Sequence, residues 1–474
     1  MKLILFLSTL TIFSVFISLI MRERKLCFNL RLQLFLRCNM IKYIAYFIIL
    51  FRRFGMRKKI YILSVFIVFL FLIAFFNNLK EFTHSADAAG DKGISQSPVK
   101  ALEVRDVYYP GTEDLAPDEM RVIACGTGMP NARPKQAAAC WILELGNGDK
   151  FIFDIGLGSA ERISAMKIPY DYLDKVFIGH LHADHIGDLD ALWVGGVLAN
   201  RQRPLRVWGP SGAKEETGTK YMVDHLKKMY SWDYASRLGN VNTQGFQIEV
   251  TEFDYKAVNK VIYQENGVTI KTIPAIHALD GPVSFILEWN GLKFSFSSDT
   301  YPNKWWIEHT KNSDLSIHEC FAPPSIMVNK QNFAVGDALN VATQVHTSPA
   351  MFGKVMSETK PRMAVGYHVF NDFDTKPQIM SEIRQTYDGP VELAIDYMVF
   401  NVTKDDIRVR MAVVDEDIWP LPSITKTLPA DPKDRVGFSD YIISGRVVFK
   451  DVIKFYYDQT NKMFGTDFQP PEQK

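Results

Sequence analysis

His180-Leu181-His182-Ala183-Asp184-His185 is the stretch on which the reading of this chain turns. Four metal-capable side chains fall within six residues, directly after the apolar run Lys175–Gly179, which reads as a buried strand. His180 and His182 lie two apart, so they turn to one side while the segment stays extended. Asp184 and His185 follow the bend and can serve a second ion. Imidazole and carboxylate together suit Zn, Fe or Mn. A lone His is more often a core or surface residue, but three His and one Asp packed this tightly point to metal.

One such cluster cannot complete two metal shells, so further ligands must come from elsewhere. The chain has 10 His, and all but His84 lie between 180 and 368. His225 and His309 fall in helix-like stretches and read as surface residues. His277, Asp299 and His368 each close a strand-like run: Thr272–Ile276, Phe294–Ser298 and Met363–Tyr367. Taken singly, each reads equally well as a turn Asp or a core His. Their shared position at strand ends marks them as candidates, because sites gather on such rims.

Arg121–Cys125, Leu205–Trp208, Val268–Ile273, Val283–Trp289 and Lys293–Ser297 read as further strands. Cys140–Leu145 and Lys150–Asp154 flank Gly146-Asn147-Gly148, a hairpin signal. Thr219–Tyr230 and Pro349–Glu358 read as helices, the second with Ser348 at its cap and Pro349 at its first position. The pattern predicts a mixed α/β chain: two sheets face to face, with helices outside.

The chain is 474 residues long, 47% hydrophobic and 23% charged, which excludes a disordered or collagen-like protein. Five Cys are too few and too scattered for a disulfide scaffold. The net charge of +1 hides an asymmetry. Residues 1–88 carry 13 Lys/Arg against 3 Asp/Glu, which leaves 41 against 50 in the remainder. An acidic body disfavours nucleic acid as a partner, since polyanions are held mainly by Lys/Arg.

Residues 1–88 read as a hydrophobic targeting or anchor region. Met56-Arg57-Lys58-Lys59 precedes the apolar run Ile60–Phe76, and Ser85-Ala86-Asp87-Ala88 offers a small-x-small cleavage pattern. Met56 suits a true start. The expectation is an exported, periplasmic or extracytoplasmic protein, either cleaved or held at the membrane by residues 60–76. Residues 89–119 read as a linker, with Tyr108-Tyr109-Pro110 at the domain edge, and 120–412 as the main domain. Residues 413–474 form an extension of unassigned role. Its aromatic-rich part, Phe438–Phe464, carries mixed charge and no motif, and would pack on the domain or close a homodimer.

The sequence resembles the metallo-β-lactamase superfamily, within it the ribonuclease Z-like branch that also holds metallo-type arylsulfatases. The likeness rests on His180–His185, on Gly126-Thr127-Gly128-Met129-Pro130 and on Phe153-Asp154-Ile155-Gly156. Ser298-Asp299-Thr300, Asp314–Glu319, His346-Thr347-Ser348 and Gly366-Tyr367-His368 complete it. The resemblance implies a four-layer αββα sandwich and two divalent metal ions, zinc foremost. By it, His180, His182 and His277 hold one ion, Asp184, His185 and His368 the other, and Asp299 bridges. It also sets His346 near the leaving group; the plainer reading is a residue preceding a capped helix.

Two such ions share and acidify a water, and Asp184 would bind metal and orient that nucleophile. His346 would protonate or stabilise the departing oxygen. His318 and Glu319 would orient the site from behind or form a core pair, and Cys320 reads as a buried free thiol. Ribonuclease Z usually carries a Glu inside the Asp-x-Gly turn, whereas this chain has Asp154-Ile155-Gly156. A basic Gly/Pro-rich arm is not apparent either. True β-lactamases usually lack the final His of the motif, which His185 supplies. These departures favour an exported arylsulfatase-like ester hydrolase acting on a small-molecule ester. Trp305 and Trp306 would wall an aromatic leaving group, unless they merely pack a helix face. The alternatives are a ribonuclease Z-like phosphodiesterase and a membrane-anchored metal-binding protein with little turnover.

Overall fold

Strands apolar on both faces set the architecture of the computed structural model, which describes residues 107–419, 421 and 431–470. These residues belong to the second of two units into which the chain divides, Arg105–Lys474. Sixteen strands are found among them: β1 (Val107–Tyr108), β2 (Met120–Gly126), β3 (Cys140–Leu145), β4 (Lys150–Ile155), β5 (Lys175–Phe177), β6 (Leu205–Pro210), β7 (Ile248–Phe253) and β8 (Lys260–Glu265). The series continues with β9 (Val268–Pro274), β10 (Val283–Trp289), β11 (Leu292–Phe296), β12 (Leu315–Glu319), β13 (Met363–Tyr367), β14 (Val391–Leu393), β15 (Met398–Val402) and β16 (Ile407–Ala412).

They form two sheets. One has nine strands in the order β1-β16-β15-β2-β3-β4-β5-β6-β7, and the other has seven in the order β14-β13-β12-β11-β10-β9-β8. Apart from the short edge strand β1, which pairs in parallel with β16, each sheet is antiparallel on one side and parallel on the other. The switch falls at β4–β5 in the first sheet and at β11–β12 in the second. The expected hairpin joins β3 to β4, and Gly148, at φ 93, takes the left-handed conformation that its turn requires.

Side-chain alternation explains why the sheets stack. In β3 and β4, Trp141, Leu143, Phe151 and Phe153 point into a shared core with Phe285, Phe294 and Phe296 of the facing sheet. Phe153 lies 5.2 Å from Phe294 and 5.8 Å from Phe285, ring centre to ring centre. The opposite faces of the same strands bury Ile142 and Ile152 beneath the helices Ser159–Ala165 and Leu189–Leu198. On the outer side of the second sheet, Ile273 and Ile286 pack under Trp306, Phe352 and Ile379. The result is the αββα sandwich of the metallo-β-lactamase fold. The paired apolar faces are also why these strands read as apolar runs rather than alternating ones.

Several expectations change here. Part of the expected linker belongs to the sheet: β1 pairs in parallel with Met411 and Ala412. Behind it, Arg410 makes a 2.9 Å ion pair with Glu113. Ser348 does sit at the N-cap of the helix Pro349–Thr359, but its side chain makes no capping bond. The expectation of a membrane-held protein is withdrawn. Among the described residues no helix is long and apolar enough to cross a membrane. The proposed signal or anchor at 60–76, like all of 1–88, lies outside them.

Candidate metal centre

The rims of both sheets deliver the site. The first sheet sends His180, His182, Asp184 and His185 from the loop and short helix (Ala183–Ile186) after β5. The second sends His277 after β9, Asp299 after β11 and His368 after β13. The rims come this close because glycines stand between them. A Cβ on Gly179 would lie 2.3 Å from the Ser298 side chain, and one on Gly156 would lie 2.0 Å from the Asp184 carbonyl oxygen. Asp154, Ser298 and His368 all adopt positive φ, at 53°, 50° and 65°. Left-handed backbone at three non-glycine residues of one site costs about 1–3 kcal/mol each, so the surrounding sheets must impose it.

Three groups of ligand atoms result, each gathered within 4.8 Å: His180, His182, His277 and Asp299, then Asp184, His185, Asp299 and His368, and, overlapping the second, Asp299, Glu319, His346 and His368. In the first, His182 Nδ1 lies 3.0 Å from His180 Nε2 and 3.2 Å from His277 Nε2. Asp299 Oδ2 lies 3.6 Å from His277 Nε2 and 3.9 Å from His180 Nε2. In the second, Asp184 Oδ2 lies 3.0 Å from His368 Nε2 and 3.5 Å from His185 Nε2. Asp299 Oδ1 lies 3.3 Å from His185 Nε2, and Oδ2 lies 3.3 Å from His368 Nε2. Metal–ligand bonds of about 2.0–2.1 Å in a tetrahedron give ligand–ligand edges of about 3.3 Å. The first two groups centre on that value, with Asp299 shared between them.

Hydrogen bonding and burial fit the same purpose. Asp154 Oδ2 receives His185 Nδ1 at 2.7 Å and the Ser298 hydroxyl at 2.8 Å, while Oδ1 receives the Gly179 N–H at 2.7 Å. A carboxylate only accepts, so Nδ1 of His185 carries a proton and Nε2 is the nitrogen turned to the site. That Nε2 and Asp299 Oδ1 are buried without a hydrogen-bond partner. Ser298 in turn can accept from His180 Nδ1 at 3.1 Å, and the Val345 carbonyl from His277 Nδ1 at 3.3 Å. Burial pushes His180 well below the ordinary imidazole range, His182 below it, and His277 down to about 4. Neutral imidazole is the form that binds metal. His185 goes the other way: burial is outweighed by Asp299, Asp154 and Asp184, which hold it well above. Burial would raise Asp184 and Asp299, but the neighbouring His residues keep both carboxyls low. This donor set of imidazole and carboxylate fits two divalent cations.

His346 stands beside the first two groups. Its Nδ1 donates to Glu319 Oε2 at 2.7 Å, and Phe321 stacks on its ring at 4.0 Å and 10°. Burial pushes His346 down and Glu319 up, so both favour their neutral forms. Glu319 also accepts the Thr300 N–H, next to Asp299. His318, by contrast, points into the outer core against Trp306, ring centres 4.9 Å apart. Trp306 is fully buried there, with Trp305 packed partly buried at the same cluster, so Trp306 cannot wall a substrate as expected. Its place just after Asp299 made it look like a rim residue, but the helix Lys304–His309 turns it inward, so the helix-packing alternative holds for Trp306. Cys320 is a buried free thiol. His225 lies exposed on its helix, and His309 is half-buried at the end of Lys304–His309. The sequence reading did not single out Asp154, Ser298 or Phe321 as members of the site. An Asp before x-Gly reads as a turn residue, and only its place at the end of a strand beside the cluster could have marked it.

Residues 120–327 match a family model described as Anti-Pycsar protein Apyc1. A ribonuclease Z from Mycobacterium marinum is 30% identical over 191 residues, 39% of this chain and 64% of that protein. The chain therefore spans just under two thirds of that relative's length. A ribonuclease Z from Halalkalibacterium halodurans is 23% identical over 322 residues, 60% of this chain and 98% of that one. Among solved structures, the metallo-β-lactamase fold protein YhfI from Bacillus subtilis has a TM-score of 0.45 at 18% identity, covering 60% of this chain and 100% of its own. These relatives overturn the expectation that disfavoured nucleic acid, because they are named as ribonucleases. Net charge averages over a whole body and says little about one rim. The chain carries the metallo-β-lactamase fold, and ribonuclease Z-like proteins are prominent among the proteins it is similar to.

Proposed function

We propose that this chain is a dinuclear metal-dependent phosphodiesterase resembling ribonuclease Z, acting on a phosphodiester of a nucleic acid. The observation that carries this reading is the pair of ligand groups sharing Asp299, in a chain whose relatives are named ribonucleases. His180, His182 and His277 would hold one ion and Asp184, His185 and His368 the other, with Asp299 between them. The nitrogen and oxygen donors make zinc the metal we favour. When bound, two such ions supply a nucleophilic hydroxide at neutral pH and draw charge from the phosphoryl oxygens.

The chain's own groups do the rest. Asp184, held low by its His neighbours, stays an acceptor and orients the attacking water by taking its hydrogen bond. Asp154 fixes the His185 ring, and Ser298 fixes the His180 ring. His346, clamped by Glu319 and Phe321, keeps its Nδ1 hydrogen on Glu319, so its bare Nε2 would take the proton that the attacking water loses and pass it to the departing oxygen. The arylsulfatase reading leaned on the missing Glu in the Asp154-Ile155-Gly156 turn, the lack of a basic arm, the acidic body and export, with Trp305 and Trp306 as an aromatic wall; Trp306 is core, and relatives named as ribonucleases weigh for the phosphodiester instead. The test is a comparison on the metal-loaded full chain. Bis-para-nitrophenyl phosphate, para-nitrophenyl sulfate and a short RNA with an unpaired end are offered with and without chelator. Chelator-sensitive cleavage of the two phosphodiesters is expected. Preference for the sulfate, or two bound ions with no turnover of any substrate, would refute the proposal.

A further inference from the structure

A cleft of about 250 Å³ opens beside the second ligand group, and none of its lining residues belongs to a ligand group. Arg133, Arg162, Pro134, Ala137 and Leu157 are among its walls. Two walls start next to metal-binding residues. Leu157 follows Gly156, where a Cβ would meet the Asp184 carbonyl oxygen at 2.0 Å. Gln136, also in the lining, donates from Nε2 to the Val369 carbonyl and to the Thr127 hydroxyl, both at 2.9 Å. Val369 directly follows His368. The cleft is therefore placed to receive a part of the substrate that lies beside the reacting bond.

Its two arginines are fixed in place. Arg133 Nη1 donates to Asp372 Oδ2 at 2.8 Å, and Nη2 donates to Gln136 Oε1. Arg133 Cζ lies 4.0 Å over the centre of the Phe370 ring, so one face of the guanidinium is covered. Phe370 is itself packed, partly buried, against the outer core of the second sheet. Arg162 donates from Nε to Asp396 at 3.3 Å, from Nη1 to the Gly158 carbonyl at 3.0 Å and from Nη2 to the Pro134 carbonyl at 2.9 Å. These bonds decide what the cleft can recognise. Each cation is already matched by a carboxylate, so a phosphate would have to displace Asp372 or Asp396 to bind there. What Arg133 still offers is the second flat face of its guanidinium, framed by the apolar surfaces of Pro134, Ala137 and Leu157. A cationic plane in an apolar slot suits a flat, electron-rich ring. Pockets for whole drug-sized ligands span about 300–1,000 Å³. The cleft is smaller than that, which gives it room for one ring system and not for a whole nucleotide.

We propose that this cleft seats the base of a nucleotide whose phosphate lies at the metal centre, with the ring stacked on the free face of Arg133; the assignment rests on the phosphodiesterase reading above. The probes are uridine monophosphate, adenosine monophosphate and ribose phosphate, each phosphorylated at the terminal ribose carbon. They are titrated calorimetrically into the metal-loaded full chain. All three carry the same sugar phosphate, so the ratio of dissociation constants isolates the base. In the parent, at least one nucleotide should bind ~10-fold or more tightly than ribose phosphate, as expected for one stacked base. Arg133→Lys keeps a charge for Asp372 but has no plane to stack on. Ala132→Trp fills the cleft from an exposed position, so it stands in if the first variant fails to fold. Each variant should cut the ratio ~5-fold or more, while unchanged metal content and circular dichroism verify its fold. A parent ratio near one, or a parental ratio kept by either folded variant, overturns the proposal. Turnover plays no part in this readout. A chain that cleaves no phosphodiester, yet shows the ratio and loses it in the variants, supports the cleft and refutes only the activity.

Discussion

Replacing Asp154 by Asn isolates one link in the metal centre. Asp154 Oδ2 receives the His185 Nδ1 proton at 2.7 Å, and Oδ1 receives the Gly179 N–H at 2.7 Å. Asn keeps the size of the side chain and tolerates the positive φ of 53° found there. Its carbonyl can continue to serve Gly179. Its NH₂ then faces His185, which must accept at Nδ1 and carry its proton on Nε2. That nitrogen is the one turned toward Asp184 and Asp299. The variant thus loses a charge-assisted hydrogen bond worth about 1.5–3 kcal/mol and mis-sets one ligand. Outer partners of metal-binding His typically cost 10–100-fold in affinity, about 1.4–2.7 kcal/mol, when changed. The loss should fall on the group Asp184, His185, Asp299 and His368. The group containing His180, His182 and His277 should change much less, because Ser298 can still accept from His180. Metal content per chain, measured after equilibration against a graded competing chelator, resolves the two. One ion should leave at 10–100-fold lower chelator activity, and the other should leave as in the parent. Retention of both ions at parental affinity would refute the tautomer argument.

Three further outcomes follow from residues around the centre. His346→Ala should lower turnover by about 10²–10⁴-fold with metal content unchanged, as steady-state kinetics and elemental analysis can check. Trp306→Ala should cost about 3–5 kcal/mol in a denaturant titration, as expected for a cavity in the outer core, while leaving KM for nitrophenyl esters within about twofold. His318 is fully buried and pushed down to about 4, so between about 4 and 6.5 the unfolded chain binds a proton that the native chain refuses. Stability must then rise with pH across that window and fall as acid is added, by about 3 kcal/mol in full. His318→Asn should flatten this acid limb in melting curves run from pH 6.5 to 4; an unchanged slope would place the titration elsewhere.

The sequence exposes some of this site plainly and hides the rest for physical reasons. His180–His185 is legible because four ligands in six residues have no ordinary structural use. His277, Asp299 and His368 are legible only together, as residues that close strands, and a family likeness was needed to sort them into sets. Asp154 and Ser298 stayed hidden because their task is defined by partners far off in sequence, His185 and His180. Trp306 misled because nearness in sequence to Asp299 does not fix which way a side chain points. The two-sheet sandwich could be read from apolar strand runs, whereas the edge strand at Val107–Tyr108 could not, since two residues carry no period.

The ligands are split between the two sheets, and that division has a consequence beyond chemistry. His180 to His185 hang from one sheet, and His277, Asp299 and His368 from the other. Ions held among them would act as a clasp across the sandwich, joining segments that the chain separates by up to 188 residues, from His180 to His368. Neither half carries both ligand groups, so metal capture reports that the two halves have met. During folding such a clasp can close only after the long-range pairing is complete. Once closed, it resists the parting of the sheets in the way that a cross-link over a long loop would.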